Sequence, residues 1–475
     1  MRIRGTVKKF SDFRGFGFIQ GEDGVEYFVH INQIAMEGYR TLDRGQLVEF
    51  APVSTEKGWQ AYELELAGDV HRSPDVPIGS LDNPFLPQKP MIDPRKFAGR
   101  NQETGTALRS LHNQMNILVA GPRGIGKSSF ARQITLINEG NKSLLERIGV
   151  EAKAFNNTFV TCDYCCQPND SLHDIVNNLI TILSYKVVGA VPTTEKQVSQ
   201  SHNIGDSSIT VSTTERHYSG SELASTFRIK VSEIFKNVDT VRNGITFFID
   251  EIDTLDASVD IATFIKTVTE ALQASAEFKF VFVLCGVAGA YTNLLSQHPS
   301  FARLFEQITL TQFKNSEIHD MLTLSLQDSG YAISPDAAAL ICTLSNRFPH
   351  PVHQLGFYSF CFAENKHISI KDVEEAKKYI TTRLKAQEFH NRLSAETTSP
   401  SFQLLQAMAH IDHDLVSIGD LERRLPDFDT QKILGTFGRL MQREFIDRDG
   451  NKYRFREPLF KIYIRWAFPK QSSHR

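Results

Sequence analysis

The stretch "NILVAGPRGIGKSS", residues 116–129, decides the fold of the largest part of this chain. Its second half fits the pattern G-x-x-x-x-G-K-S/T, which here follows an apolar strand pattern directly and precedes a helical one. The loop glycines let backbone N–H groups wrap phosphates, Lys127 reaches the β and γ oxygens, and Ser128 offers its hydroxyl to Mg²⁺. The stretch therefore predicts a nucleoside triphosphate site on an α/β fold. The predicted loop residues are Gly121, Pro122, Arg123, Gly124, Ile125, Gly126, Lys127, Ser128 and Ser129.

An acidic stretch further along the chain supports this site. "ITFFIDEID", residues 245–253, is an apolar strand pattern that ends in Asp250 and Glu251. An aspartate at a strand end can hold Mg²⁺ through water, and the adjacent glutamate can activate the attacking water. The alternative, an acidic turn that caps a helix, suits Asp253 better than the pair before it. We therefore predict ATP and Mg²⁺ as cofactors, with Ser128 and Asp250 as metal ligands and Lys127, Asp250 and Glu251 as catalytic residues.

The segments around these stretches predict a parallel sheet. Strands of buried type, "NILVAG", "TFVTCD", "ITFFID" and "FKFVFVLCG", alternate with helical patterns between residues 97 and 315. Inside this core, residues 186–224 are polar and rich in Ser and Thr, which we interpret as an insertion. Residues 316–390 carry helix start signals and are predicted to form a helical lid.

Residues 69–96 are predicted to form a linker. Prolines stand at positions 74, 77, 84, 87, 90 and 94. Such a density prevents both helix and strand, because proline lacks the backbone N–H and fixes φ. We therefore expect an extended segment between the core and the residues before it.

Residues 1–68 alternate apolar and polar residues between turn signals, which predicts a small β-barrel. In "RGFGFIQGEDGVEYFVHI", residues 14–31, four aromatic side chains stand two apart on neighbouring strands, so that all four share one face. They are Phe16, Phe18, Phe28 and His30. Unpaired bases would stack on such a face at about 1–3 kcal/mol each. The alternative, that these rings form the barrel core, is weakened because other apolar residues can fill it: Val7, Ile19, Val29, Leu42 and Val48.

The stretch "GTVKKFSDFRGFGFIQGEDGVEYFVHINQIAMEGYRTLDRGQLVEF" resembles a bacterial-type cold-shock domain, an OB-type barrel, most specifically in "RGFGFI" and "YFVHI". The resemblance implies single-stranded DNA or RNA as partner. The chain departs from the family at Lys9, where a Trp is usual, and at Ile31, where a Phe is usual, which lowers the expected affinity. The predicted nucleic-acid-binding residues are Lys8, Phe10, Phe16, Phe18, Phe28, His30 and Tyr39, with Lys9, Arg14 and Arg40 as further phosphate contacts.

Residues 400–468 predict a winged helix-turn-helix. Three helical patterns, "SFQLLQAMAHI", "SIGDLERRL" and "TQKILGTFGRLMQRE", precede a hairpin pattern, "FIDRDGNKYRF". Cations line the third helix and the hairpin at Lys432, Arg439, Arg443, Arg448, Lys452, Arg454 and Arg456. Docking of the helix in the major groove of duplex DNA, with the wing on phosphates, is one interpretation. A protein-interaction or autoinhibitory module is the other, and the pattern leaves both open.

Residues 97–468 resemble the origin-recognition and archaeal-type branch of AAA+ and STAND ATPases. The resemblance rests on "FAGRNQE" at residues 97–103, on the two nucleotide motifs and on the helical segments behind them. The resemblance implies that the "FAGR" box lies close to the adenine. It also implies ATP-dependent assembly with further copies or a partner protein. In "HPSFARLFEQITLTQF" the resemblance places an arginine finger at Arg303. The alternative is that Arg303 is a solvated surface arginine.

Three features depart from that family. The strand pattern after the acidic stretch ends in "LCG", so that Cys285 stands near the position of a polar first sensor. The lid motif "NRFPHPVHQLG" has no arginine at the usual second-sensor position, although Arg347 precedes it and His353 lies within it. The insertion separates the two nucleotide motifs. We therefore expect slow hydrolysis.

Composition places few further limits on function. The chain has 475 residues, a formal net charge of −3, 41% hydrophobic and 23% charged residues, and six cysteines. Six cysteines are too few for a disulfide framework, and "CDYCC" at residues 162–166 lacks a second ligand pair for zinc, which favours reduced structural thiols. No apolar run of about 20 residues and no signal-peptide pattern is present, so we expect a cytoplasmic protein without membrane contact.

These patterns favour one function and leave a second open. The first is a nucleic-acid-responsive ATPase, in which the barrel binds single strands and ATP binding switches or assembles the core. The second is a STAND-like signalling switch, in which nucleotide exchange matters more than turnover. The two nucleotide motifs argue against a passive RNA chaperone. The predicted fold is multidomain: an all-β OB-type barrel, an α/β P-loop NTPase core with a helical lid, and a winged helix.

Overall fold

The structure is a computed structural model that describes residues 2–11, 16–30, 33–34, 42, 47–55, 58–66, 82–150, 155–188, 220–236, 241–256, 258–275, 278–384 and 400–468. Several predictions lie outside these residues: Arg14, Ile31, Tyr39, Arg40, the side chains of Lys9 and Phe16, and most of the insertion. The chain divides into two compact units. One comprises residues 1–87 with 325–475, and the other comprises residues 88–324.

The first unit contains the predicted small β-barrel, which is closed and has five strands. Its strands are β1 (Ile3–Ser11), β2 (Phe16–Gly21), β3 (Glu26–His30), β4 (Leu47–Thr55) and β5 (Gly58–Leu66), in the order β1-β2-β3-β5-β4. Alternation along each strand sends one set of side chains inward, and all five residues predicted for the core are buried. Tyr27, Ile34, Phe50, Ala61 and Leu64 complete the core. Phe18 and Phe28 are therefore not needed to fill it.

The second unit is built on a parallel five-stranded sheet. Its strands are β6 (Asn116–Ala120), β7 (Phe159–Cys165), β8 (Gly244–Asp250), β9 (Lys279–Gly286) and β10 (Phe305–Thr309), in the order β10-β6-β9-β8-β7. The three central strands, β6, β9 and β8, are buried along nearly their whole length, which explains their continuous apolar sequences. The sheet confirms the predicted α/β core.

Helices connect these strands. They are α1 (Asn101–His112), α2 (Lys127–Asn138), α3 (Ser143–Arg147), α4 (Leu172–Val188), α5 (Gly220–Phe235), α6 (Ile261–Ser275), α7 (Ala288–Gln297) and α8 (Asn315–Leu326). The described edges of the predicted 186–224 insertion are helical, because α4 continues to Val188 and α5 begins at Gly220. The second compact unit includes helix α8 as far as Leu324, and the lid over residues 316–390 stays a prediction.

The described part of the predicted linker, residues 82–96, contains neither helix nor strand, as its prolines require. It is nevertheless held by side chains, which the proline count did not predict. In the first unit, Asn83 donates to Phe357 O at 2.9 Å, and Phe85 is 1% exposed. In the second unit, Met91 N donates to Ser129 Oγ at 3.0 Å. We call residues 82–96 the strap.

The rest of the first unit is mainly helical. After α8 follow α9 (Pro335–Leu344), α10 (Pro349–Phe362) and α11 (Ile370–Tyr379), which continues into a π-helical turn. The lid is not wholly helical, because β11 (Ala332–Ile333) and β12 (His367–Ile368) form a short parallel pair. None of the described helices is long and apolar enough to cross a membrane.

The C-terminal segment has the element order that the sequence predicts. Helices α12 (Pro400–Ala409), α13 (Ile418–Glu422) and α14 (Thr430–Gln442) precede an antiparallel hairpin of β13 (Ile446–Asp449) and β14 (Lys452–Phe455). A further helix, α15 (Pro458–Ala467), contacts the lid, since Tyr463 OH donates to Gln354 Oε1 at 2.6 Å. The assignment of this segment as a winged helix stays a prediction.

Candidate functional site

The phosphate-binding loop joins β6 to α2 in the second unit. Gly124 and Gly126 have φ of 76° and 93°, which most residues with a side chain avoid, so the loop requires glycine there. A Cβ on Gly121 would lie 3.0 Å from Leu310 O and 2.9 Å from Ile125 Cγ2. The Ile125 side chain is fully buried and anchors the loop. The sequence pattern thus forms a glycine-dependent loop at the N-terminus of a twelve-residue helix.

Lys127 is the first residue of α2, and its ammonium group points back into the loop. Nζ donates to Pro122 O at 3.2 Å. Burial lowers the pKa of Lys127, while Asp253, Cys285 and Asp250 act in the opposite direction. The cation therefore lies between its own loop and two carboxylates, where it can exchange the Pro122 carbonyl for a phosphate oxygen.

Strand register brings the acidic pair to the same edge of the sheet as the loop. Ala120 pairs with Gly286 of β9, and Ile249 pairs with Leu284 of the same strand. Because all strands are parallel, the loop after Ala120 and the pair after Ile249 both leave the carboxyl edge. The two predicted motifs therefore meet, with β9 between their strands.

The acidic pair has a constrained backbone. Glu251 has a φ of 55°, a left-handed conformation that is uncommon for glutamate, and its N–H donates to Asp250 Oδ1 at 2.9 Å. Cys165, which pairs with Asp250 in the neighbouring strand, places its Sγ 3.7 Å from Glu251 Oε2. Burial raises the pKa of Cys165 to about 11, and Glu251 contributes to the increase. The neutral thiol can therefore donate to the carboxylate at pH 7.

Cys165 is a site residue that sequence reasoning missed. It was interpreted only as one thiol of "CDYCC", whose other two members, Cys162 and Cys166, are buried. The available signal was its place at the end of a buried strand, since parallel strand ends meet at one edge.

Asp253 and Cys285 fix the edge of the site. Asp253 Oδ1 accepts a hydrogen bond from the N–H of Val287, the N-cap residue of α7, at 3.0 Å. Asp253 therefore caps a helix. That helix follows β9, whereas Asp253 itself follows β8. Cys285 is fully buried, with its Sγ 3.9 Å from Lys127 O. Its thiol thus contacts the backbone of α2.

Arg303 does not share this edge of the sheet. It is an exposed residue at the end of a 3₁₀ turn, and β10 begins two residues later at Phe305. Phe305 pairs with Asn116, the first residue of β6, whereas the phosphate-binding loop follows the last. The two therefore lie at opposite ends of a five-residue strand, about 16 Å apart along it.

His353, which lies within the lid motif that lacks the usual second-sensor arginine, contacts the strap inside the first unit. Its Nδ1 accepts from Leu86 N at 3.4 Å, and its ring lies edge-on to Phe85 with centroids 6.1 Å apart. Burial, followed by the charge of His350, lowers the pKa of His353 to about 4. The ring is therefore neutral at pH 7 and offers no positive charge to a phosphate.

The barrel presents the predicted aromatic face. Phe18 pairs with Phe28, with ring centroids 5.8 Å apart at 79°, and Phe16 pairs with His30 along the same two strands. Phe18, Phe28 and His30 are partly exposed.

Two other predicted barrel residues have partners within the protein. Lys8 Nζ lies 2.7 Å from Glu26 Oε2, an exposed ion pair that contributes at most about 1 kcal/mol and can open for a phosphate. Phe10 packs against the barrel core, so its ring fills the barrel at least in part.

The predicted cations of the C-terminal segment are exposed but mostly engaged locally. Lys432 lies over the Phe428 ring at 4.0 Å, and Arg448 Nε donates to Gly450 O at 2.8 Å. Two further wing cations form ion pairs: Arg454 with Asp449 at 3.8 Å and Arg456 with Glu444 at 2.8 Å. Exposed pairs of this kind are weak and leave the cations accessible to phosphate.

Comparisons with known proteins match two separate regions of the chain. A family model described as "'Cold-shock' DNA-binding domain" matches residues 3–67. The cold shock-like protein of Aquifex aeolicus is 47% identical over 70 residues, which are 14% of this chain and all of that protein. Cold shock-like protein CspLB of Listeria monocytogenes is 53% identical over 60 residues, which are 13% of this chain and 91% of that protein. The barrel is therefore a cold-shock domain.

A second family model, described as "Novel STAND NTPase 1", matches residues 91–347, more than half of the chain. Among solved structures, the Walker-type ATPase PABY2304 of Pyrococcus abyssi has a TM-score of 0.46 at 15% identity, over 80% of this chain and 99% of that one. The ORC2 protein of Aeropyrum pernix has a TM-score of 0.44 at 13% identity, over 78% and 92%. Likenesses at these scores carry no information on function.

Proposed function

This chain belongs to the novel STAND NTPase 1 family and carries a cold-shock domain, and from that premise we propose that it is a nucleic-acid-responsive ATPase. The barrel binds single-stranded DNA or RNA on the face of Phe18 and Phe28. The core binds ATP at the loop before α2 and hydrolyses it slowly. Occupancy of one site changes the affinity of the other.

The strap is the observation that carries this coupling. It lies between the barrel and the core in the chain, and its residue Met91 forms two hydrogen bonds with α2. Met91 N donates to Ser129 Oγ at 3.0 Å, and Met91 O accepts from Gln133 Nε2 at 3.0 Å. Ser129 directly follows Ser128 of the nucleotide motif. A shift of α2 on nucleotide binding would therefore displace the strap.

The residues of the site suit ATP and Mg²⁺. The glycine-dependent loop and the first N–H groups of α2 suit phosphate oxygens, and Lys127 adds a cation. Ser128 and Asp250 offer a hydroxyl and a carboxylate, oxygen ligands that Mg²⁺ prefers. The metal would neutralise phosphate charge. Glu251 would orient and deprotonate the attacking water, assisted by the Cys165 thiol that positions its carboxylate.

We also propose ATP-dependent assembly of several copies. Arg303 lies at the amino edge of the sheet and cannot reach the nucleotide of its own subunit across about 16 Å. Within the described residues Arg303 forms no hydrogen bond or ion pair, so its guanidinium is available to a neighbouring copy. A finger that acts on the next subunit makes hydrolysis depend on assembly.

The C-terminal segment is proposed to contact duplex DNA through α14 and the hairpin. Exposure of Lys432, Arg439 and Lys452 supports this proposal. A protein-interaction or autoinhibitory role for this segment is the competing interpretation. Substitutions in helix α14 test the two interpretations against each other.

A nucleotide switch with negligible turnover is the second candidate. The supporting observation is the fully buried Cys285 near the first-sensor position, together with the neutral ring of His353. The thiol of Cys285 is only a weak hydrogen-bond donor to a γ-phosphate, and the neutral ring of His353 offers no positive charge. Such a protein would retain nucleotide tightly and respond to exchange.

One assay separates these functions. ATP hydrolysis by the full chain is measured alone and with single-stranded DNA, single-stranded RNA or duplex DNA, at matched salt. We expect single strands to raise the rate and duplex to have a smaller effect. Nucleotide that stays bound through purification, with no turnover under any condition, would establish the switch and exclude the ATPase.

A further inference from the structure

A buried arginine lies next to the phosphate-binding loop and belongs to neither nucleotide motif. Arg100 is 3% exposed, although arginine is rarely buried unless it is paired. Its Nη1 donates to Glu103 Oε1 at 3.1 Å, and its Nη2 donates to Ile125 O at 3.1 Å. The guanidinium also lies over the Phe313 ring at 3.9 Å. These contacts fix its position from three sides.

The backbone at this position is constrained as well. Gly99 and Arg100 have φ of 64° and 62°, two consecutive left-handed residues just before α1. Arg100 N donates to Glu317 Oε1 at 3.1 Å, and a Cβ on Gly99 would lie 2.7 Å from the same oxygen. A left-handed conformation is unfavourable for a residue other than glycine and persists where the surroundings enforce it. Glu317 therefore holds Arg100 in place.

The acceptor in the loop is a peptide group that could otherwise rotate. Ile125 stands between Gly124 and Gly126, which both have positive φ. Because a trans peptide is planar, its C=O and N–H point in opposite directions. The hydrogen bond from Arg100 to Ile125 O therefore points the N–H of Gly126 away from Arg100. We expect this N–H to be one of the donors that the loop offers to phosphate.

We propose that Arg100 is a positioning residue of the nucleotide site, which holds the Ile125–Gly126 peptide in the orientation that binds phosphate. Glu317 extends this contact to the start of α8, since its Oε2 also accepts from the N–H of Lys314, the residue directly before that helix, at 2.7 Å. Helix α8 runs to the boundary between the two units at residues 324 and 325. Loss of phosphate from the loop would thus change the contacts that hold the start of α8. This inference rests on the proposed nucleotide site and is independent of the response to nucleic acid.

The test separates phosphate binding from recognition of the base. Affinities for ATP, ADP, AMP and CTP are measured on the full chain with Arg100→Lys, Arg100→Gln and Glu103→Gln. Lysine cannot reproduce the forked contact. We expect both Arg100 variants to bind ATP and ADP about tenfold or more weakly, since a charged hydrogen bond is lost, with unchanged AMP affinity and an unchanged ratio of ATP to CTP affinity. Glu103→Gln should show a smaller loss of the same kind.

The matched control is Arg109→Lys, an exposed arginine on the same helix α1, which should leave all four affinities unchanged. Thermal unfolding of the nucleotide-free variants reports any loss of folding separately, and Glu103→Gln remains informative if both Arg100 variants unfold. Equal losses for AMP and ADP, or a changed ratio of ATP to CTP affinity, would show a role at the base and overturn the inference. Unchanged ADP affinity in Arg100→Lys would overturn it too. A wild-type chain that binds no nucleotide contradicts the proposed function instead.

Discussion

The orientation of Glu251 depends on residues that are distant in the sequence. Its left-handed backbone is uncommon for glutamate, and its carboxylate receives the thiol of Cys165 from the neighbouring strand. Strained residues of this kind cost about 1–3 kcal/mol and cluster at functional sites. The backbone conformation and the Cys165 thiol together fix the direction of the Glu251 carboxylate.

Glu251→Gln should bind ATP with wild-type affinity and hydrolyse it at least about 100-fold more slowly, because an amide cannot accept the proton of water. Binding is measured by titration with a fluorescent ATP analogue and hydrolysis by phosphate release. Lys127→Ala is the comparison, in which ATP binding itself should be lost. Undiminished turnover in Glu251→Gln would mean that another residue is the base.

A second effect at the residue scale concerns the pH dependence of the strap. Burial lowers the pKa of His353 to about 4, below the value of about 6.5 in an unfolded chain. A lowered pKa means that the folded state favours the neutral ring. This stabilisation is complete above about pH 6.5 and is lost as the pH falls toward 4.

Between pH 7 and pH 4 the wild-type protein should therefore lose more stability than His353→Asn. The additional loss should be at most about 3 kcal/mol, because the His353 ring keeps partial exposure. Asparagine retains an acceptor for Leu86 N and does not titrate. Thermal unfolding of both proteins across this range gives the difference. Parallel pH profiles would show that His353 is already solvated in the folded chain.

At the scale of elements, helix α14 exposes two glycines. A Cβ on Gly435 or Gly438 would meet nothing within 4 Å, and both residues lie in the exposed part of the helix. Glycine inside a helix costs about 0.5–1 kcal/mol relative to alanine. The fold does not require glycine at either position, whereas close approach of a partner would.

Gly435→Ala and Gly438→Ala should each stabilise the protein by about 0.5–1 kcal/mol. If α14 docks on duplex DNA, the double variant should bind duplex more weakly despite its higher stability. Denaturant unfolding and a duplex titration at fixed salt measure the two effects. Gly419→Ala, another open glycine on helix α13, is the control for binding. Full duplex binding by the stabilised double variant would exclude this face as the contact.

At the scale of the whole molecule, the proposed role of Arg303 as a finger that acts on a neighbouring copy would make hydrolysis depend on assembly. Arg303→Ala should retain ATP binding and lose hydrolysis. Mixing it with Lys127→Ala subunits should restore part of the activity, because each variant supplies what the other lacks. Hydrolysis rates of the mixtures and the molecular mass with ATP are measured together. A chain that stays monomeric with ATP and hydrolyses it normally contradicts this prediction.

The barrel and the core should also depend on each other. The barrel lacks two usual stacking rings, at Lys9 and Ile31, so it should bind single strands weakly by itself and gain from avidity in an assembly. We expect the full chain to bind single-stranded DNA more tightly with ATP than with ADP. Phe18→Ala with Phe28→Ala should remove most of that difference and leave ATP affinity unchanged, because the rings lie in another domain.

Titrations of single-stranded DNA at fixed salt, with each nucleotide, test this dependence. Leu47→Ala, an exposed apolar residue on another strand of the barrel, is the matched control. Equal affinity with ATP and ADP would show that the barrel and the ATPase merely share a chain.

Sequence patterns were sufficient for the features that depend on neighbours along the chain. They predicted the small β-barrel with its buried core, the parallel sheet, and the two nucleotide motifs. They also predicted that residues 82–96 contain no helix or strand. Each follows from local rules: alternation of apolar residues in strands, glycine where φ is positive, and proline where regular structure ends.

The tertiary structure alone decided which distant residues meet. Cys165 reaches Glu251 only because β7 lies beside β8, and Arg100 reaches Ile125 O only because α1 begins next to the loop. The pKa of His353 is lowered because the ring is buried where it meets the strap, and its position in the sequence did not indicate that contact. Strand order, register and burial set these contacts and charges, and they arise from the packing of the folded chain, which no local pattern encodes.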